Sequence, residues 1–230
     1  MPIIAIDGVD GSGKETQSKL LFQKLQDKGL NPLMMSFPDY KSESSALVRM
    51  YLNGDFGASA SDVNAKTAST FFALDRFASY RRSWKTAHDE GRIIIADRYT
   101  TSNMIHQASK IADTQEKDEF LDWLCDFEYN ILGLPKPDSV IFLDMPPEYG
   151  AKHCKDRANK ADGSDAKDIH ERDTAYIADS YNNAKYIAAK YGWHTINCID
   201  TGKNDVIRTI ADISGEVYEL VLCKLGYTNG

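Results

Sequence analysis

The chain has 230 residues, a length that suits one globular domain with a substantial core. Its net charge of −7 argues against a nonspecific grip on nucleic acid or an anionic membrane, although local basic clusters can still serve an anionic small molecule. The four cysteines, Cys125, Cys154, Cys198 and Cys223, form no CxxC pair and no metal-ligand spacing with histidine, which reads as reduced thiols. The apolar run Pro2 to Ile6 is too short for a signal-peptide core and no run approaches a membrane span. A cytoplasmic location, without membrane or nucleic-acid partners, is expected.

In chain order, short apolar runs alternate with helical patterns. Ile3–Ile6 reads as a strand buried on both faces. Gln17–Lys28 follows as a helix with Leu20, Leu21 and Leu25 on one face. Leu33–Phe37 is a second strand. Ala65–Glu90 is a long helical stretch, one helix or two. Ile93–Ala96 is the clearest third strand. Glu116–Ile131 carries Phe120, Leu121, Leu124 and Phe127 at helical spacing, and Ser139–Leu143 is a fourth strand. The polar stretch Asn159–Lys167 reads as a loop between two helices. His194–Ile199 is a fifth strand, and the stripe from Val206 to Val221 reads as a C-terminal helix. Continuous apolar strands alternating with helices predict an α/β fold with a mostly parallel sheet.

The first strand runs directly into Gly8-Val9-Asp10-Gly11-Ser12-Gly13-Lys14, and a helix follows. That strand-turn-helix context is what the phosphate-loop pattern GxxxxGK requires. Glycines let the backbone wrap an anion. The exposed N–H groups and the helix N-terminus present partial positive charge, and Lys14 adds a full one. The residues Gly8 to Thr16 therefore form the expected ATP-binding segment. The usual hydroxyl after the lysine is missing. Glu15 stands there and Thr16 comes one later, so either could approach a metal ion, directly or through water. Asp10 is unexpected in an anion site unless its carboxylate points away. Arg49, Arg76 and Arg98 are planar donors suited to a phosphate, and Phe72 lies one helical turn from Arg76. Asp97 ends the third strand, where ligand crevices of α/β sheets open.

These segments together resemble the thymidylate kinase family. The motifs are the loop Asp7–Lys14, Phe37-Pro38 after the second strand, and Phe71-Phe72-Ala73-Leu74-Asp75-Arg76. They continue with Asp97-Arg98-Tyr99 followed by Ser102 and Gln107, Pro137-Asp138 before the fourth strand, and Asp168-Ile169-His170-Glu171 after the polar loop. The resemblance spans Ile4 to about Tyr191. It implies a three-layer fold with a five-stranded parallel sheet in the order 2-3-1-4-5, as one nucleoside monophosphate kinase domain over residues 1–230. It implies transfer of the ATP γ-phosphoryl group to dTMP with Mg²⁺, and a homodimer. It also implies an acceptor site of Asp10, Phe37, Arg49, Phe72, Arg76, Arg98, Ser102, Asn103 and Gln107, with Phe72 stacking on the base. Asp10 would then accept a hydrogen bond from the sugar 3′-hydroxyl. Lys14 and Arg98 would be catalytic, and Asp97 would lie near the metal. His106 departs from the tyrosine common there. Some members carry an arginine in the phosphate loop where this chain has Gly11, and others place the cation in a lid. The lid, at about 155–170, then supplies Arg157, or else Lys155 or Lys160. An adenylate kinase-like enzyme, a deoxynucleoside kinase, a GTPase (suggested by Asn159-Lys160-Ala161-Asp162) and a nucleotide-binding module without catalysis remain alternatives.

Overall fold

The computed structural model describes residues 2–150, 169–203 and 205–227. A five-stranded sheet holds β1 (Ile3–Asp7), β2 (Leu33–Ser36), β3 (Ile94–Asp97), β4 (Ser139–Asp144) and β5 (His194–Asn197) in the order β2-β3-β1-β4-β5. All pairings within it are parallel. The expected order is observed.

Strand alternation explains the layers, because successive side chains point to opposite faces. Ile4, Ile6, Ile95, Ile141, Leu143 and Ile196 face one side. They pack on Leu21 and Leu25 of α1 (Lys14–Asp27) and on Val217 and Val221 of α10 (Ile210–Lys224). Ile3, Ala5, Ile94, Ala96 and Val140 face the other side, against Tyr80, Trp84, Tyr99 and Leu134. Phe142 meets Ile105 of α5 (Thr100–His106) and Ala184 and Ala188 of α9 (Thr174–Tyr191). Each such large side chain contributes about 1.5–3 kcal/mol on burial.

The remaining helices are α2 (Ala46–Asn53), α3 (Ala65–Ser79), α4 (Lys85–Asp89), α6 (Thr114–Cys125), α7 (Pro147–Gly150) and α8 (Ile169–Arg172). The long stretch from Ala65 is continuous helix broken by one π-type turn, Tyr80–Trp84, before α4. A second π-type turn, Asp126–Ile131, extends α6.

The C-terminal region differs from its sequence reading. The run His194–Ile199 is not one strand. β5 stops at Asn197, and the Cys198 N–H still donates to the Asp144 carbonyl at 2.9 Å. The chain then turns, and β6 (Ile199–Asp200) pairs antiparallel with β7 (Val206–Ile207). Val206 and Ile207 are therefore strand residues. The final helix begins only after Thr209, whose hydroxyl accepts from the Asp212 N–H at 3.1 Å. That cap satisfies a helix-terminal donor and fixes the start. The loop Asn159–Lys167 and the lid candidates Lys155, Arg157 and Lys160 lie outside the described residues. Among the described residues, no helix is long and apolar enough to cross a membrane.

Leu143 is fully buried in β4, next to the central strand. Leu143→Ala is expected to cost about 2–5 kcal/mol of stability, seen as a lower urea midpoint at unchanged m-value.

Candidate active site

A cleft of about 550 Å³ opens at the carboxyl ends of the strands, a size typical of small-molecule sites. The phosphate loop, following the central strand, lies between two groups of lining residues in sheet order. On the β2–β3 side stand Phe37, Tyr40, Phe72, Arg76, Asn103 and Gln107. Near the β5 edge stand Ile207, Arg208, Ile210 and Ile213.

The loop's conformation explains its glycines. Gly13 has φ 87° and caps α1, a left-handed position that favours glycine. Gly11 has φ 80°, and a Cβ there would lie 2.3 Å from the Gly150 carbonyl oxygen. The loop backbone thus sits directly against the end of α7. Its base is held by a residue that the sequence reading passed over. Asp7, wholly buried, accepts from the Gly8 N–H at 2.9 Å, Thr101 Oγ1 at 2.6 Å and Ser102 Oγ at 2.8 Å. This carboxylate fastens the loop to α5, and Ser102 contributes through it while also lining the cleft.

Lys14 is buried, and its ammonium donates to the Val9 carbonyl at 2.8 Å, with Asp10 at 4.0 Å. Burial, reinforced by the nearby Arg98 cation, lowers its pKa to about 8. The Arg98 guanidinium pairs with the Asp10 carboxylate and donates to His106 Nε2 at 3.3 Å. Burial works against both charges of the Arg98–Asp10 pair. The carboxylates of Asp10, Asp7 and Asp97 nonetheless hold Arg98 above its ordinary value, and Arg98 and Lys14 hold Asp10 well below the carboxylate range. Asp10 thus points toward cations and away from an anion in the loop. Arg98 itself has φ 66°, a left-handed conformation that costs a non-glycine residue about 1–3 kcal/mol. Its N–H still donates to the Ile6 carbonyl at 3.1 Å, so the strained residue is anchored to the central strand.

Phe72 and Arg76, one turn apart on α3, both line the cleft. Arg76 is almost fully buried in a bidentate pair with Glu128, at 2.7 Å from Nε and 2.5 Å from Nη2. Thr100 Oγ1 at 2.7 Å and Asn103 Nδ2 at 3.1 Å complete the Glu128 carboxylate. A guanidinium has five N–H donors, so those unused by Glu128 remain for a ligand. Glu128 has no sequence signal, being one of two carboxylates that flank Phe127, the other being Asp126. Gln107 is buried, and among the described residues its Oε1 has no hydrogen-bond partner. Phe37 is buried against Tyr99, with ring centroids 5.9 Å apart.

Of the predicted acceptor residues, Arg49 does not line the cleft, and of the predicted donor-loop residues Gly8 and Val9 do not. The Arg49 Nη1 donates to the carbonyls of Tyr40 and Ser42 and to Ser45 Oγ, at 2.8, 2.9 and 2.6 Å. It braces the loop that carries Tyr40. Glu15 pairs with Lys19 one turn along α1 at 2.7 Å. Asp97 is buried beside the loop and accepts from Ser36 Oγ at 3.1 Å, and Thr16 lines the cleft. Among the described residues there is no cluster of three or more potential metal ligands. One carboxylate beside a phosphate loop nevertheless fits Mg²⁺, which keeps several waters and takes phosphate oxygens as ligands.

At the β5 edge, the guanidinium of Arg208 is fixed by the Asn197 carbonyl at 2.7 Å and Glu216 at 2.7 Å. No motif in the sequence marks this end, because the β6–β7 hairpin beside it has no recognisable pattern.

Comparison with known proteins agrees with this geometry. The model of the thymidylate kinase family matches residues 6–210. A thymidylate kinase of Mycobacterium tuberculosis is 32% identical over 172 residues, covering 74% of this chain and 78% of that protein. A probable thymidylate kinase of Pyrococcus horikoshii is 32% identical over 152 residues, covering 66% and 69%. A thymidylate kinase of Ruegeria pomeroyi is 26% identical over 227 residues, covering 98% and 96%. With the phosphate loop, the Phe72–Arg76 pair and the Asp97-Arg98 strand end in one cleft, the chain belongs to the thymidylate kinase family.

Proposed function

We propose that this cleft transfers the γ-phosphoryl group of ATP to dTMP, giving ADP and dTDP, with the following division of labour. The loop Gly8–Lys14 cradles the donor phosphates, and the Ile207, Arg208, Ile210 and Ile213 end takes the adenine. Phe72 stacks on the acceptor base, and Gln107 reads its edge. Arg76 and Arg98 hold the acceptor, and Asp10 meets the sugar. The observation that carries this reading is the placement of Lys14 and Arg98 within one cleft, between two separate groups of base-sized lining residues. Phosphoryl transfer demands little covalent chemistry from the protein. It demands alignment of two anions and neutralisation of their charge, which Lys14 and Arg98 supply from fixed positions. Mg²⁺, held by phosphates and by Asp97 through water, would add neutralising charge when bound.

Residue 11 has no room for a loop arginine, because its Cβ would meet the Gly150 carbonyl. This supports placing the further cation in the lid, with Arg157 as the first candidate on sequence grounds. The proposal includes a homodimer, for which Leu47 and Met50 on α2 and Leu74 on α3 are exposed apolar side chains. It includes a cytoplasmic setting, which suits the free thiols Cys125, Cys198 and Cys223.

ADP release measured with dTMP, dUMP, AMP, CMP, GMP and UMP is expected to favour dTMP or dUMP, and preference for another acceptor overturns the assignment. Arg76→Ala is expected to raise the dTMP KM at least about tenfold while leaving the ATP KM within about twofold; an unchanged dTMP KM removes Arg76 from the acceptor site. Arg157→Ala is expected to lower kcat by about 10²-fold or more with little change in the dTMP KM. An unaffected kcat moves the role to Lys155 or Lys160.

A further inference from the structure

Behind Arg98 lies a chain of buried polar groups that the proposed reaction does not use. His106, at the end of α5, accepts from Arg98 Nη1 through Nε2. A guanidinium can only donate, so the His106 proton sits on Nδ1, where it has no hydrogen-bond partner among the described residues. The ring of His106 stacks on that of His170, with centroids 6.2 Å apart and planes 20° apart. Tyr176 of α9 closes the group. Its ring lies 4.7 Å from His170, and its hydroxyl donates to the His106 carbonyl at 2.9 Å. On its far side His170 Nε2 meets the Tyr51 hydroxyl of α2 at 2.9 Å. That hydroxyl accepts from the Lys110 ammonium at 2.9 Å, and Lys110 also donates to the Val63 carbonyl at 3.0 Å. With Lys110 as donor, the Tyr51 hydroxyl has two acceptors for its own proton, His170 Nε2 at 2.9 Å and, farther off, the Ala60 carbonyl at 3.4 Å.

We propose that His170 is a positioning residue: through its stack on His106 and its bond to Tyr51 it fixes the orientation of Arg98 for phosphoryl transfer. This rests on the kinase reading given above. An aliphatic side chain would fill the same space without the cost of burying polar atoms. The histidine pair instead gives Arg98 an acceptor whose plane cannot turn. α8 is pinned at this point from two sides, since Ile169 is buried with Val48, Tyr51 and Leu52 of α2 while His170 faces the site. A shift of α8 therefore reaches Arg98 through one ring contact and one hydrogen bond.

The tie requires neutral imidazoles. His170 is surrounded by Lys110, Asp10, Arg98, His106, Tyr51 and Tyr176. Burial first, then the Lys110 cation, lower its pKa to about 3. Burial first, then Arg98, hold His106 well below its usual value, with Asp10 opposing and His170 and Lys14 adding. Burial also lowers Lys110 to about 7. The sign follows: histidines depressed in the stacked arrangement favour it above the ordinary imidazole pKa, and that favour is lost as pH falls below it, because a ring released from the stack then binds more protons.

The test compares the unaltered enzyme with His170→Ala and His170→Phe, in steady-state kinetics with ATP and dTMP from acid to neutral pH, together with Tm. His170→Ala is expected to lower kcat at least about tenfold with the ATP KM within about twofold. His170→Phe keeps the ring stack but loses the bond to Tyr51, and is expected to recover kcat in part, above His170→Ala. Having lost one titrating group, it is also expected to show a shallower acid limb of kcat/KM, displaced to lower pH. The substrate phosphate titrates identically in all three, so the difference belongs to residue 170. The inference is overturned if folded His170→Ala keeps full kcat, if both variants lose activity only in proportion to their loss of Tm, or if the acid limbs of His170→Phe and the unaltered enzyme superimpose. An unaltered enzyme that phosphorylates no monophosphate overturns the reaction itself, and the inference with it.

Discussion

The ion pair between Asp10 and Arg98 is the constraint around which the site is arranged. It joins the phosphate loop to the end of β3, two segments that the sheet sets side by side. A loop built to bind anions cannot tolerate a free carboxylate, so Asp10 must have a cation. Arg98 in turn must leave regular strand geometry to reach it, and its left-handed backbone records that demand. The strain persists because the surroundings over-determine it. The Arg98 N–H is bonded to β1, and its side chain is held by Asp10 and His106. Strain of this sort concentrates where function requires a fixed geometry.

Around that pair the site is built on the rule that every buried charge has a partner. Asp7 is closed by a backbone amide and two hydroxyls. Glu128 is closed by Arg76, Thr100 and Asn103. Breaking one such buried pair typically costs about 3–5 kcal/mol, since it strands the remaining charge. The acceptor wall therefore stays in place before any nucleotide arrives, which lowers the ordering cost of binding.

Much of this was legible in the chain itself. Strands buried on both faces cannot alternate, so Ile3–Ile6, Ile93–Ala96 and Ser139–Leu143 announced a covered parallel sheet. The glycine pattern with Lys14 located the phosphate site at its centre. Phe72 and Arg76 were readable because one helical turn separates them. The C-terminal hairpin was not. Val206 and Ile207 fit the apolar period of the helix that follows, and only the cap at Thr209 separates them from it. Glu128 was invisible for another reason: a buried carboxylate is chosen by its tertiary partner, and no local pattern marks it. Arg49 shows the converse. Its residue type suited a phosphate, but its Nη1 is bonded to the Tyr40 and Ser42 carbonyls, and the residue is not part of the cleft lining.

The contact between Gly11 and Gly150 has a historical consequence. Two peptide backbones meet where a side chain on either would collide, so neither position can change alone. An arginine introduced at position 11 would have to await a prior rearrangement of the turn at Gly150.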